Sequence, residues 1–203
     1  MASVRRVVAG GSVVALAVML PGLGGASAVA GQSSVSSASL APYVVRAGEE
    51  TGYSPSGAPT FTRSAASWAT GNPKAAVDAK RLRGEGFRGA LSQQTTGPNS
   101  TGGVSFVIVL ASPAAATSEE QAEVKEDIAE NSPVTRFTIK QLPTSEGWAG
   151  KDNSGAFGNV MFVEGSCVLL VGDATDGANP RPPVIAGALK VYGRTAHSAG
   201  VCT

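Results

Sequence analysis

Ala156-Phe-Gly-Asn-Val-Met-Phe-Val-Glu-Gly-Ser-Cys-Val-Leu-Leu-Val171 reads as two strands, Ala156 to Val163 and Ser166 to Val171, folded back on each other at Glu164-Gly165. Branched and aromatic residues fill both halves, no proline interrupts them, and a glycine sits where the chain must reverse. Side chains alternate across a strand, so Cys167, Leu169 and Val171 share one face and Val168 and Leu170 the other. Both faces are apolar, which places this strand centrally in a sheet.

Working outward, Val104 to Leu110 is a second clear strand, with Val104, Phe106, Ile108 and Leu110 on one face. The turn-rich stretch 97–103 joins it to a strand over Phe87 to Thr95. Ser112-Pro113 opens a helix that runs to about Glu130, with Gln121, Val124 and Ile128 marking one side and Asn131-Ser-Pro133 as the stop. Glu119 and Glu120 in its early turns suit the helix dipole. Asn72-Pro73 opens another helix, capped by Asn72, with Ala75, Ala76, Ala79 and Leu82 inward and Gly84 or Gly86 as its end. Val134 to Gln141 reads as a strand with Thr135, Phe137 and Ile139 on the core face, and Leu142 to Gly155 as a long loop carrying Gly147-Trp148-Ala149-Gly150. Val184, Ile185, Ala188, Leu189 and Tyr192 form the apolar stripe of a final helix. Near the start, Tyr43-Val-Val-Arg46 is a short strand, Glu49 to Thr60 a loop, and Thr62 to Trp68 a strand end or short helix. The expected fold is a single α+β domain over 42–203: a mostly antiparallel sheet of about five strands with two or three helices packed on one face. The strand–strand–helix stretches 87–130 and 156–197 hint at an internal duplication.

Residues 1–30 have the order of a cleavable secretion signal. Arg5-Arg6 supplies the charge, Val13 to Leu20 the apolar run, and Ala26-Ser-Ala-Val-Ala30 the small-residue exit. No cysteine lies near that exit, which favours release over lipid tethering, and the apolar run is too short for a stable membrane span. Arg5-Arg6 leaves both the general and the twin-arginine export routes open. Residues 31–41 are serine-rich and read as a flexible lead-in. Processing shifts the net charge from +1 to about −1, which leaves no footprint for nucleic acid. Cys167 and Cys202 are the only cysteines, and in an exported chain an even pair reads as a disulfide.

Three pieces, Ala79-Lys-Arg-Leu-Arg-Gly-Glu-Gly-Phe87, Val107-Ile-Val-Leu-Ala-Ser-Pro-Ala-Ala-Ala116 and the stretch 158–172, resemble recurring segments of small exported proteins of high-GC Gram-positive bacteria. The layout also resembles the extracellular sensor domains of mycobacterial serine/threonine kinases, over about two thirds of the mature chain. The resemblance implies a helix-on-sheet domain with a ligand cleft, and binding rather than catalysis. It lies in pattern rather than in motifs: this chain has two cysteines where those sensors have more, it carries no kinase domain, and no site residue transfers.

Chemistry is sparse. His197 is the single histidine and reads as an exposed tail residue; no mature GxSxG or HExxH is present. The pairs Glu49-Glu50, Glu119-Glu120 and Glu126-Asp127 read as surface loop or solvated helix face, and Asp173-Ala-Thr-Asp176-Gly177 as an Asx turn rather than a calcium loop. No metal or cofactor is expected. Trp68 and Trp148 are the residues best suited to a ligand, and Trp148, on its expected loop, is the candidate ligand contact. The function expected is therefore a non-catalytic, secreted binding or interaction domain, with a cell-envelope component or a protein as partner. The alternatives are a secreted enzyme inhibitor presenting the 142–155 loop and a cryptic hydrolase using carboxylates.

Overall fold

A computed structural model describes residues 35–131, 133–152, 155–196 and 200–203. The signal at 1–30, the first part of the serine-rich lead-in and His197 lie outside the described residues. In chain order the elements are α1 (Ser37–Leu40), β1 (Ser54–Thr62), α2 (Ala65–Ala69), α3 (Ala75–Gly84), β2 (Gly89–Thr96), β3 (Gly102–Val109), α4 (Pro113–Glu130), β4 (Val134–Phe137), β5 (Ser145–Asp152), β6 (Gly155–Glu164), β7 (Cys167–Thr175) and α5 (Arg181–Thr195). The strands form one seven-stranded sheet in the order β1-β2-β3-β7-β6-β5-β4, antiparallel at every pairing.

The α+β class and the antiparallel sheet match expectation, and β7 does lie at the middle of the sheet. The hairpin from β6 into β7 pairs Glu164 with Cys167, leaving Gly165-Ser166 as a two-residue turn. Gly165 has φ +53, and a Cβ there would fall 1.7 Å from the Cys202 carbonyl oxygen. The turn therefore needs glycine twice, for its backbone and for the tail lying on it. The Cys167–Cys202 disulfide, with Cα atoms 5.1 Å apart, fixes that tail, and Ser166 N–H donates to the Cys202 carbonyl.

Helices cover both faces of the sheet, not one. On one face α5 sets Val184, Ala188 and Val191 against Val107, Leu169 and Val171. On the other, α2, α3 and α4 set Ala65, Leu82 and Val124 against Val104, Phe106 and Leu170. The two apolar faces of β7 require this arrangement, since an uncovered face would leave Val168 and Leu170 in water. The two strand–strand–helix stretches thus send their helices to opposite faces.

Two segments expected as loops are strands. β1 contains Pro55, Pro59 and Gly57, and its register with β2 shifts between Ser56 and Thr60. An edge strand tolerates proline because the missing N–H faces outward, and a bulge absorbs the glycine. In β5, Gly147 and Gly150 are packing notches. A Cβ on Gly147 would stand 2.4 Å from the Phe137 ring, and one on Gly150 2.8 Å from Phe157. Each aromatic ring lies over the glycine directly across the ladder, Phe137 over Gly147 and Phe157 over Gly150.

The end of the serine-rich lead-in is structured. Ser36 caps α1 with a reciprocal capping box to Ser39, and Leu40 has no exposed surface. Tyr43 to Arg46, expected as a strand, is instead the end of a 3-10 turn and an irregular strap whose Tyr43, Val44 and Val45 are buried under α5. The Val45 N–H donates to Ser105 Oγ on β3, and Arg194 of α5 donates to the carbonyls of Pro42 and Val44 and pairs with Glu49. Side chains, not a ladder, meet these backbone groups of the strap.

Candidate functional site

The helices α2, α3 and α4 leave a cavity of about 160 Å³ against the sheet. Its floor is apolar: Leu82, Val104, Phe106, Met161 and Leu170. Its mouth carries hydroxyls, with Thr60, Ser67 and Thr70 exposed. Both tryptophans line it. Trp68 is placed by α2, a short helix capped by Ser64, whose Oγ accepts from Ser67 N–H. Its ring meets Phe106 edge to face at 5.3 Å.

Trp148 sits on β5 and is fully buried, so it is not displayed on a loop. The β5–β6 register sets it beside Asn159. Both reach Asp127 on α4: Trp148 Nε1–H donates at 2.7 Å and Asn159 Nδ2 at 3.1 Å, each to Oδ2. Asn131 Nδ2 donates to Oδ1 at 3.2 Å. Three neutral donors thus hold one carboxylate in place, and that carboxylate locks the indole ring that lines the cavity.

Next to it runs a wall of acids. Asp78, Glu123 and Glu126 bring carboxylate oxygens within 4.8 Å of one another. Their spacing would suit a metal, but Arg81 already fills the middle. Its Nη2 lies 2.5 Å from Glu123, its Nη1 3.5 Å from Asp78 and 3.6 Å from Glu126, and its Nε 2.7 Å from Glu119. Burial pushes the Glu119 carboxyl up, and the Arg81 fork pulls it down. Lys74 bridges Glu126 and Glu130 at the outer edge.

On the opposite face of the sheet Glu50 and Asp173 form a second, sealed site, with exposures of 3% and 0%. The two carboxyls are buried beside each other, which favours their protonated forms. Desolvation, then the nearby Asp173, pushes Glu50 up to about 9, while the Thr95 hydroxyl favours its anion. Desolvation pushes Asp173 up to about 7. Burial also raises Tyr53, whose hydroxyl donates to the Ala174 carbonyl at 2.6 Å. Asp176 is exposed on the following turn, away from Asp173, so the two belong to no common loop site.

Each acidic pair expected to be solvated is in fact split. Glu50, Glu119 and Asp127 are buried, while their neighbours Glu49, Glu120 and Glu126 are partly exposed. On α4, Gln121 is exposed and the inward face is Ala116, Glu119, Val124 and Asp127. Adjacent residues on a helix point about 100° apart, so a pair read as one unit hides which member turns inward. No sequence signal pointed to Asp127; its position one turn from the cap residue Asn131 became meaningful only beside Trp148.

No protein-family model and no curated protein matches the chain. Among solved structures it is similar to the extracellular domain of PknH from Mycobacterium tuberculosis, with a TM-score of 0.53 and 11% identity, over 80% of this chain and 97% of that one. The likeness is one of fold. It agrees with the layout resemblance to mycobacterial kinase sensor domains.

Proposed function

We propose that this chain is a non-catalytic, extracytoplasmic binding domain that holds a small ligand in the cavity between the sheet and α2–α4. The observation that carries the reading is the convergence of Trp68 and Trp148, the chain's only tryptophans, on one apolar-floored cavity with a hydroxyl-rich mouth. A volume of about 160 Å³ suits a benzene-sized group, not a polymer. The secretion-type segment at 1–30 and the Cys167–Cys202 disulfide favour work outside the cytoplasm. The Glu50–Asp173 pair has the composition of an acid–base pair, but it is sealed from substrate, which weighs against a carboxylate hydrolase. The inhibitor reading loses its display loop, because residues 145–152 are a strand in the sheet.

The test is NMR on the two indole Nε1–H signals, titrated with a panel of fragment-sized aromatic compounds. Saturable shifts of both signals are expected. If no compound moves either signal, the cavity is not a binding site. Turnover on glycan or ester panels would overturn the non-catalytic part.

A further inference from the structure

Thr95, Gly103 and Asp173 stand in one row across β2, β3 and β7. The side chains of Thr95 and Asp173 therefore rise on the same face, on either side of a residue that has none. A Cβ on Gly103 would collide with both Asp173 Oδ1 and Thr95 Oγ1, so this glycine makes the room in which they converge. Glu50 reaches the same place from the segment before β1, under α5, where a Cβ on Gly187 would stand 3.2 Å from its Oε1. Two carboxyls and a hydroxyl thus bring five oxygens together, on residues that are each 3% exposed or less. Glu50 meets Asp173 and Thr95, and Asp173 meets Glu50. None of the five oxygens, Thr95 Oγ1 included, has a hydrogen-bond partner outside the three residues. No lysine or arginine among the described residues acts on either carboxyl. Buried polar groups nearly always find partners, and here acceptors outnumber donors.

From this geometry we infer that Glu50, Asp173 and Thr95 form a calcium site between the sheet and the segment that leads into β1. An all-oxygen donor set, with no nitrogen or sulfur, is that of a hard cation, and two carboxylates balance one divalent charge. Magnesium gives up its water reluctantly, so a site this deeply buried favours calcium. As the ion enters, any protons on the two carboxyls leave to solvent. The ligands come from three distant parts of the chain, not from the turn Asp173 to Gly177, whose Asp176 is exposed. Bound there, the ion ties the segment before β1 to the central strand β7 and makes the hold of that segment depend on calcium. The site lies on the opposite face of the sheet from the tryptophan-lined cavity, so it stands or falls independently of the binding reading above.

The experiment is thermal unfolding of the purified, disulfide-bonded chain in EDTA, in calcium chloride and in magnesium chloride. Unfolding opens the sealed site, so the ion has access to it. Calcium modules that work outside cells bind with Kd on the order of 0.1–1 mM. At about tenfold above Kd, calcium should raise Tm by about 3–6 °C, saturably, and magnesium should raise it far less. Glu50→Gln and Asp173→Asn should lose the calcium response. Glu123→Gln, in the acidic group on the other face, should keep it. Should both acid variants fail to fold, Thr95→Val decides: it keeps the shape, removes one oxygen and should weaken calcium binding about tenfold. An unchanged Tm in calcium would overturn the site. So would a response that survives in the Glu50 and Asp173 variants, one lost in Glu123→Gln instead, or an undiminished affinity in Thr95→Val. Equal responses to calcium and magnesium would overturn the choice of calcium.

Discussion

Raising the pH should destabilise this protein through one buried pair, and Glu50→Gln should remove much of the effect. Glu50 is 3% exposed and its pKa is pushed up to about 9 from an ordinary 4.5. Asp173 is fully buried and pushed up to about 7 from 3.8. In the unfolded chain both carboxyls ionise near their ordinary values. In the folded state they keep protons, so the folded state binds more protons between those limits and stability falls with rising pH. The contribution is complete below about pH 4 and is lost progressively until about pH 9. Each retained proton costs about 1.4 kcal/mol per pH unit, so one proton held from pH 6 to pH 8 amounts to about 3 kcal/mol. That is a large share of a typical domain stability of about 5–15 kcal/mol.

Glutamine has the shape of the neutral acid and keeps a donor for Asp173, so Glu50→Gln should flatten the curve by about 1.4 kcal/mol per pH unit over that window. The groups facing the pair are Tyr53 and Thr95, neither of which titrates near neutrality. Glu119 adds to the slope of both proteins and cancels in the difference. The assay is urea unfolding at half-unit steps from pH 5 to pH 9, on wild type and variant. Parallel stability curves would refute the reading that the buried pair keeps its protons, and so would a wild type that gains stability as the pH rises.

Two further outcomes follow from the packing. Leu40→Ala, in the segment that reads as a flexible lead-in, should cost about 2–5 kcal/mol in denaturant unfolding, because Leu40 has no exposed surface; a change of a few tenths would mean that the strap is not part of the core. Reducing the Cys167–Cys202 bridge, which closes 36 residues, should lower stability by about 3–4 kcal/mol, and free thiols in the purified, unreduced protein would show that the bridge does not form.

The strands that read most clearly in the sequence are those whose alternation is apolar on both faces. β3 and β7 are the clearest, and they occupy adjacent central positions. β1 and β5 escaped because proline and glycine are also the marks of turns. Only a neighbouring strand shows that Pro55 lies at an edge, or that Gly147 is a seat for Phe137. The two tryptophans stand out as the ligand-suited residues by type alone, and the cavity unites them. What stayed hidden was the inward member of each acidic pair, because burial of Glu50, Glu119 or Asp127 depends on a partner 21 to 123 residues away.

By itself the sequence determined the one available cysteine pair, the central hairpin and the α+β class, since each depends on local order or on a count of residues. Tertiary structure alone decided that helices clothe both faces, that Trp148 is a wall of a cavity held by Asp127, and that Glu50 and Asp173 share a sealed pocket. These are long-range facts. They arise when residues distant in the chain exclude water together, and exclusion of water is what gives a buried indole, carboxylate or proton its energy.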